Sequence, residues 1–304
     1  MRASDKIRYK INTATVTEKL IAINVLVFLF FGVLNTVFSL FKISGFTAFY
    51  DWFVLPSDPA EFILKPWTII SYSFLHGGIW HLASNMLILY FSGIYFLNFF
   101  SPKRLLNYYF LGVIIGGLVF MLSYNLFPAF SGGKSYLVGA SAGVMAVLIG
   151  VATQAPNMYV RLLIIGNVKF WWIAATLVAI DIIQIPMGNA GGHLAHLGGA
   201  GLGYLYTTQL HKGNDIGAWW ENLMDGIANL FKKREKKAKM KTVHNTSKRA
   251  SKASYASASR TSSTMSKSEK QQRIDSILDK ISKSGYESLT KAEKDFLFQA
   301  GKDD

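Results

Sequence analysis

The sequence predicts an all-α membrane protein, six transmembrane helices in one bundle followed by a cytoplasmic C-terminal tail. Three observations predict it. Of the 304 residues 51% are hydrophobic, only 16% are charged, and the apolar residues gather into six runs. Soluble domains carry roughly 25% charged residues, so a chain this poor in charge reads as membrane protein first. The net charge of +14 does not argue for nucleic acid, because 20 of the 32 basic residues follow His211. The lysine-rich stretch there also lacks a reading motif or an aromatic platform. The chain has no cysteine, which excludes disulfides, thiol catalysis and thiolate-ligated metal.

A basic arm, residues 1–18, precedes a membrane domain over 19–211. Spans are expected at Leu20 to Phe41, Ile79 to Phe100, Leu105 to Leu126, Tyr136 to Ala152, Leu162 to Ile185 and Gly192 to Leu210. The first is longer than the roughly 7 to 15 apolar residues of a signal peptide and has no small-residue cleavage site after it, so it is expected to be retained. The fourth and sixth are short and rich in Gly and Ala, which suits helix packing better than lipid contact and puts them in the middle. Orientation follows from the basic residues. Arg2, Lys6, Arg8, Lys10 and Lys19 in the arm, Lys103 and Arg104 in the second loop, and Arg161 and Lys169 in the fourth mark the cytoplasmic side. Both termini are expected there, and a bacterial cytoplasmic membrane is the expected location. Trp171 and Trp172 are read as interfacial anchors.

Beyond the bundle, residues 212–241 are expected to form an amphipathic helix and a polybasic segment, with the lysines of 232–241 drawn to the anionic leaflet. Residues 242–270, dominated by Ser, Lys and Ala, cannot bury a core and read as a disordered linker. Residues 271–304 are expected to form a small helical hairpin. Ile274, Ile277, Leu278 and Ile281 make its stripe, Gly285 ends its first helix, and Thr290 with Glu293 caps its second.

The residues that carry chemistry share a depth. His81 and Asn85 in the second span, Ser141 in the fourth and His193 and His196 in the sixth all lie a few residues inside spans that run from outside to inside. Ionisable and polar groups in hydrocarbon are costly, so five of them at one level on three helices mark a functional site. Serine hydrolysis needs a hydroxyl about 2.6 to 3.2 Å from a base, so the helices bearing Ser141 and a histidine must nearly touch. Gly139 and Gly143 around Ser141, and Gly199 and Gly203 below His196, have the four-residue spacing that allows this. His81 and Asn85, at i and i+4, project from one face and with the Ser141 backbone N–H would make an oxyanion hole. For Asn85 alone, an ordinary polar contact between helices is the simpler reading.

Three motifs, His81-Leu-Ala-Ser-Asn85, Gly139-Ala-Ser141-Ala142-Gly143 and Ala195-His196-Leu-Gly-Gly199 with Gly203, succeed one another in the expected spans. In this the chain resembles the rhomboid family of intramembrane serine proteases over about Lys19 to Leu210. The resemblance implies a Ser141/His196 dyad without an acid, Ser141 as nucleophile and His196 as general base. It implies an oxyanion hole of His81, Asn85 and the Ser141 backbone, and cleavage of single-pass membrane proteins near the outer face. His196 is preferred to His193 because glycines come three and seven residues after it, and His76 matches a histidine with a structural or hydrating role. No cofactor or metal is expected. The chain departs from the family at Trp67-Thr68, where an arginine is common, at Ala142 and at Met145, where Met can fill the space of an aromatic.

Asp181, without a companion carboxylate in the sequence, is read as a structural or interfacial group, with a proton-relay role as the lesser alternative. Two rival functions stand beside the protease. One is a catalytically silent rhomboid-like protein that binds membrane clients. The other, ranked lower, is a metal-dependent enzyme or transporter using His76, His81, His193 and His196.

Overall fold

The computed structural model describes residues 3–162, 165–231 and 267–300. The basic arm is helical, α1 (Ala3–Thr13), and leads into α2 (Val16–Leu40). The start of α2 is set by a capping box. The Thr15 hydroxyl accepts from the Glu18 N–H, and the Glu18 carboxylate takes the Thr15 N–H at 2.6 Å, which satisfies two backbone donors that a helix start leaves orphaned.

The long first loop carries α3 (Phe46–Tyr50), β1 (Leu55–Pro56), α4 (Pro59–Leu64) and α5 (Thr68–Ser71). It is tied down without the arginine that the family resemblance suggested. Trp52 and Trp67 stack at 5.7 Å, and the Trp67 indole donates to the Trp52 carbonyl at 2.8 Å. The Lys65 ammonium donates to the Asp51 carbonyl, and the buried Thr68 hydroxyl donates to the Lys65 carbonyl.

Next come α6 (Ile79–Phe96), α7 (Pro102–Leu126), β2 (Tyr136–Leu137), α8 (Ser141–Gln154), β3 (Tyr159–Leu162), β4 (Gly166–Lys169), α9 (Phe170–Gln184), α10 (Ala190–His211) and α11 (Ala218–Phe231). Four segments, Val16–Leu40, Ile79–Phe96, Pro102–Leu126 and Phe170–Met187, are long and apolar enough to cross a membrane. At 14 residues α8 is about 21 Å long, short of the roughly 30 Å of a hydrocarbon core. It survives at that length because every residue from Ala142 to Ala152 is buried, packed among α6, α7, α9 and α10. In contrast, 61% of the apolar window of α7 is buried but only 11% of that of α2 and 17% of that around α9. Thus α7 and α8 form the centre while α2 and α9 lie at the rim.

Two expected span boundaries are corrected. The fourth was expected from Tyr136, but residues 136–137 pair as β2 against β1 in antiparallel register, Leu55 with Leu137, and the helix begins only at Ser141. The fifth was expected from Leu162, but Tyr159–Leu162 and Gly166–Lys169 pair antiparallel as β3 and β4, with Gly166 at positive φ, and α9 begins at Phe170.

The tail helix α11 lies against the start of α7. Trp220 is buried beside Phe110, Arg104 pairs with Asp215, Lys103 binds Asp225 at 2.7 Å, and the Asn107 amide donates to Glu221 at 2.8 Å. Trp219, Leu223 and Ile227 remain exposed. The lysine run 232–241 and residues 242–266 of the expected linker lie outside the described residues.

The chain divides into two compact units, Met1–Glu235 and Lys236–Asp304. In the second, α12 (Lys267–Ser284) already begins within the expected linker and is followed by α13 (Lys291–Ala300). Gly285 turns the chain at φ 75°, and Thr290 and Glu293 form the capping box. Ile277 and Leu289 are buried, but Leu278, assigned to the apolar stripe, is half exposed. Lys280 on α12 reaches Glu293 of α13 at 2.9 Å.

Candidate active site

Ser141 is the first residue of α8, so its backbone N–H has no partner four residues earlier and sits at the positive end of the helix dipole. The approach to it is fixed by Gly139, whose N–H donates to the Tyr72 carbonyl at 3.0 Å and whose φ is +125°. A β-carbon on Gly139 would lie 2.8 Å from the His81 Nε2 and Cε1 and 3.5 Å from the Ser141 Oγ. Glycine here serves a turn and a clearance, and brings the His81 ring beside Ser141.

His81 is held by its other nitrogen. The Gly77 N–H reaches its Nδ1 at 3.4 Å; a backbone N–H can only donate, so Nδ1 accepts and the neutral ring carries its proton on Nε2, the atom nearest Gly139. The Asn85 amide donates to the His81 carbonyl at 2.8 Å, which engages one of its two N–H groups and leaves the other.

His196 is brought to α8 by glycines. A β-carbon on Gly199 would overlap the Ala142 carbonyl, and one on Gly203 the Ala146 carbonyl, so α10 lies backbone to backbone on α8 below the histidine. Gly143 does not share in this contact; its bare face takes the Tyr109 ring and carbonyl of α7, 2.8 Å from where a β-carbon would be. A third helix contributes too. Gly112 and Gly116 of α7 face Ala146 and Ala142, and Gly116 also faces the Ala195 carbonyl. Their four-residue spacing is the sequence signal for this contact.

Ser141, His196, His81 and Asn85 line one cavity of about 220 Å³, with Met145, Val144, Ile88, Leu177 and Ile180 as apolar wall and Asp181 and His193 on the same lining. The residues expected to meet thus face one space. His76 is outside it, buried, with its ring edge-on to His81 at 5.2 Å.

Asp181, read from the sequence as a structural or interfacial group, lines this cavity. It is buried in α9, and its Oδ1 lies 2.8 Å from the Nδ1 of His196 and 2.8 Å from the Nδ1 of His193. It is therefore a member of the histidine cluster and not an isolated interfacial group. These three residues also bring ligand atoms within 4.8 Å of one another, the spacing of a possible cation set.

The comparisons with known proteins agree with this architecture. The model of the Rhomboid domain matches residues 64–213, and that of a family of unknown function matches residues 264–300. The chain is 30% identical over 158 residues to RHOMBOID-like protein 12, mitochondrial, of Arabidopsis thaliana, covering 48% of this chain and 47% of that protein. It is 29% identical over 161 residues to the human presenilin-associated rhomboid-like protein, mitochondrial, covering 51% and 41%. It is 37% identical over 82 residues to the inactive RHOMBOID-like protein 8 of Arabidopsis thaliana, covering 26% and 23%. The matches span about half the length of the first two relatives or less. The family model and these relatives support the chain as a rhomboid family member, with its Rhomboid domain at residues 64–213. The mitochondrial names of these two relatives lend no support to the expected bacterial membrane.

Proposed function

We propose that this chain is an intramembrane serine endopeptidase that hydrolyses peptide bonds in or near transmembrane segments of single-pass membrane proteins. The observation that carries the reading is the shared cavity, in which a serine at a helix N-terminus faces a histidine on the helix packed against it.

In this reading His196 takes the Ser141 proton as the Oγ attacks the scissile carbonyl, and returns it to the leaving amine. The negative oxygen is met by the Ser141 N–H, the His81 Nε2–H and the remaining Asn85 N–H, donors fixed before the reaction begins. A second cavity of about 460 Å³ lies between α6 and α9 and shares Ile88 and Leu177 with the first. This apolar seam supports access of an unwound substrate helix beside α9. The reading includes six spans, both termini on the cytoplasmic side, and the lysines of 232–241 on an anionic leaflet.

Fluorophosphonate labelling of the purified chain tests it. Ser141→Ala is expected to abolish labelling and cut cleavage of a single-pass substrate by at least about 1,000-fold. Labelling of that variant at the parental rate overturns the nucleophile. A catalytically silent client-binding protein is the second reading, favoured by the match to an inactive relative. A parent chain that binds the substrate yet takes no label decides for it.

A further inference from the structure

We propose that Asp181 is a positioning residue for the base, completing a serine–histidine–aspartate arrangement in which the carboxylate fixes the His196 imidazole and steadies its positive charge. This rests on the reading of Ser141 and His196 as nucleophile and base, and adds to it a third member.

A carboxylate in the apolar sequence Val178-Ala-Ile-Asp181-Ile-Ile is costly unless its oxygens are satisfied. Asp181 has only 9% of its side chain exposed, and its Oδ1 is met by two imidazole nitrogens at 2.8 Å each. That is the length of a charge-assisted N–H···O bond, which makes Nδ1 the donor on both rings. A neutral His196 holding its proton on Nδ1 has a bare lone pair on Nε2, the form a general base requires. The second bond, from His193, restrains the carboxylate itself, so the orientation of the partly exposed His196 is set by the buried Asp181 and His193 and not by packing alone.

Acylation balances without any other reactant, and a water molecule afterwards breaks the acyl–Oγ bond, giving its proton to His196, which returns it to Ser141. The Ser141 O–H bond breaks and its proton goes to Nε2 while Oγ bonds to the carbonyl carbon and the carbonyl electron pair moves to oxygen. The C–N bond then breaks as the proton passes to the amine. Asp181 stays ionised throughout. A cation bound by the same three residues through both Nδ1 atoms would need those nitrogens bare, which is the opposite tautomer. The position of one proton therefore separates the two uses of the cluster.

The experiment uses the full chain, labelled with ¹⁵N-histidine, in lipid nanodiscs. Nitrogen NMR is expected to find His196 protonated at Nδ1, the signal being assigned with His196→Gln. Asp181→Asn and Asp181→Ala are expected to lower kcat and the fluorophosphonate labelling rate by about 10²- to 10⁴-fold, with KM within about 2-fold of the parent. Parental kcat in a labelled, folded Asp181→Asn protein overturns this proposal alone. So does a parent with a bare His196 Nδ1, or one whose activity needs added zinc and is lost on chelation. The tautomer is read on the parent, so it decides even where the variants fail to fold. A parent that takes no label overturns the protease reading and this proposal together.

Discussion

His76 shows how one buried side chain couples stability to pH. Both of its ring nitrogens are buried without a hydrogen-bond partner among the described residues. Burial first, and the neighbouring His81 second, push it down to about 4 from the usual 6.5. Above pH 6.5 the ring is neutral whether the chain is folded or unfolded, and the native state has its full stability. Between 6.5 and 4 the unfolded chain binds a proton that the folded one refuses, so stability falls as pH falls. Thermal unfolding in detergent should show this slope, and His76→Leu should flatten it over that window; an unchanged slope would assign the loss to other groups. Asp181 shows what a single residue hides. Its lack of a companion carboxylate was legible, but its partners are histidines on the next helix. Asp181 lies seven residues before Gly188, and His193 and His196 lie five and eight after it. The antiparallel turn at Pro186 to Asn189 superposes those distances, a signal that reading by single spans does not use.

Among elements, α8 and α10 matter most because their separation sets the distance between hydroxyl and imidazole. Gly199 leaves no room for a β-carbon against the Ala142 carbonyl, and the obstacle is backbone, which cannot rotate aside. Gly199→Val is therefore expected to cost about 1–3 kcal/mol through overpacking and to force α10 outward. A displacement of about 1 Å at a reacting pair costs on the order of 100-fold in rate. The expected signature is a kcat reduced at least about 100-fold in protein that still unfolds cooperatively; near-parental kcat would mean that the helices adjust elsewhere. These glycines were legible as a spacing. Gly139 was legible as a spacing with Gly143, but its real constraint is the His81 ring from a helix far away in sequence. The hairpin β3–β4 was lost inside an apolar run because strands of four residues give little periodicity, although Gly166-Asn167 was a turn signal. The two-residue pair β1–β2 gave none at all.

At the scale of the whole molecule, the residues that line the site and the basic C-terminal region belong to separate units. Among the described residues, every side chain lining the Ser141 cavity comes from residues 81–196. The ion pairs closing the base of the first unit join Lys103 and Arg104 of α7 to Asp225 and Asp215, all before residue 235. The second unit has its own buried residues, Ile277 and Leu289, its own capping box and its own ion pair between Lys280 and Glu293. Among the described residues each unit thus has buried side chains and ion pairs of its own, as independent domains do. A chain ending at residue 235 is accordingly expected to keep kcat on a single-pass substrate within about 2-fold, because none of the described residues that hold Ser141, His81 or His196 has been removed. Cutting instead before Asp215 takes away the partners of Arg104 and the buried Trp220, and should lower the melting temperature in detergent. If the chain ending at residue 235 lost its turnover while the parent kept it, the second unit would have to act on the site through the substrate or the membrane, since the described cavity owes it no side chain.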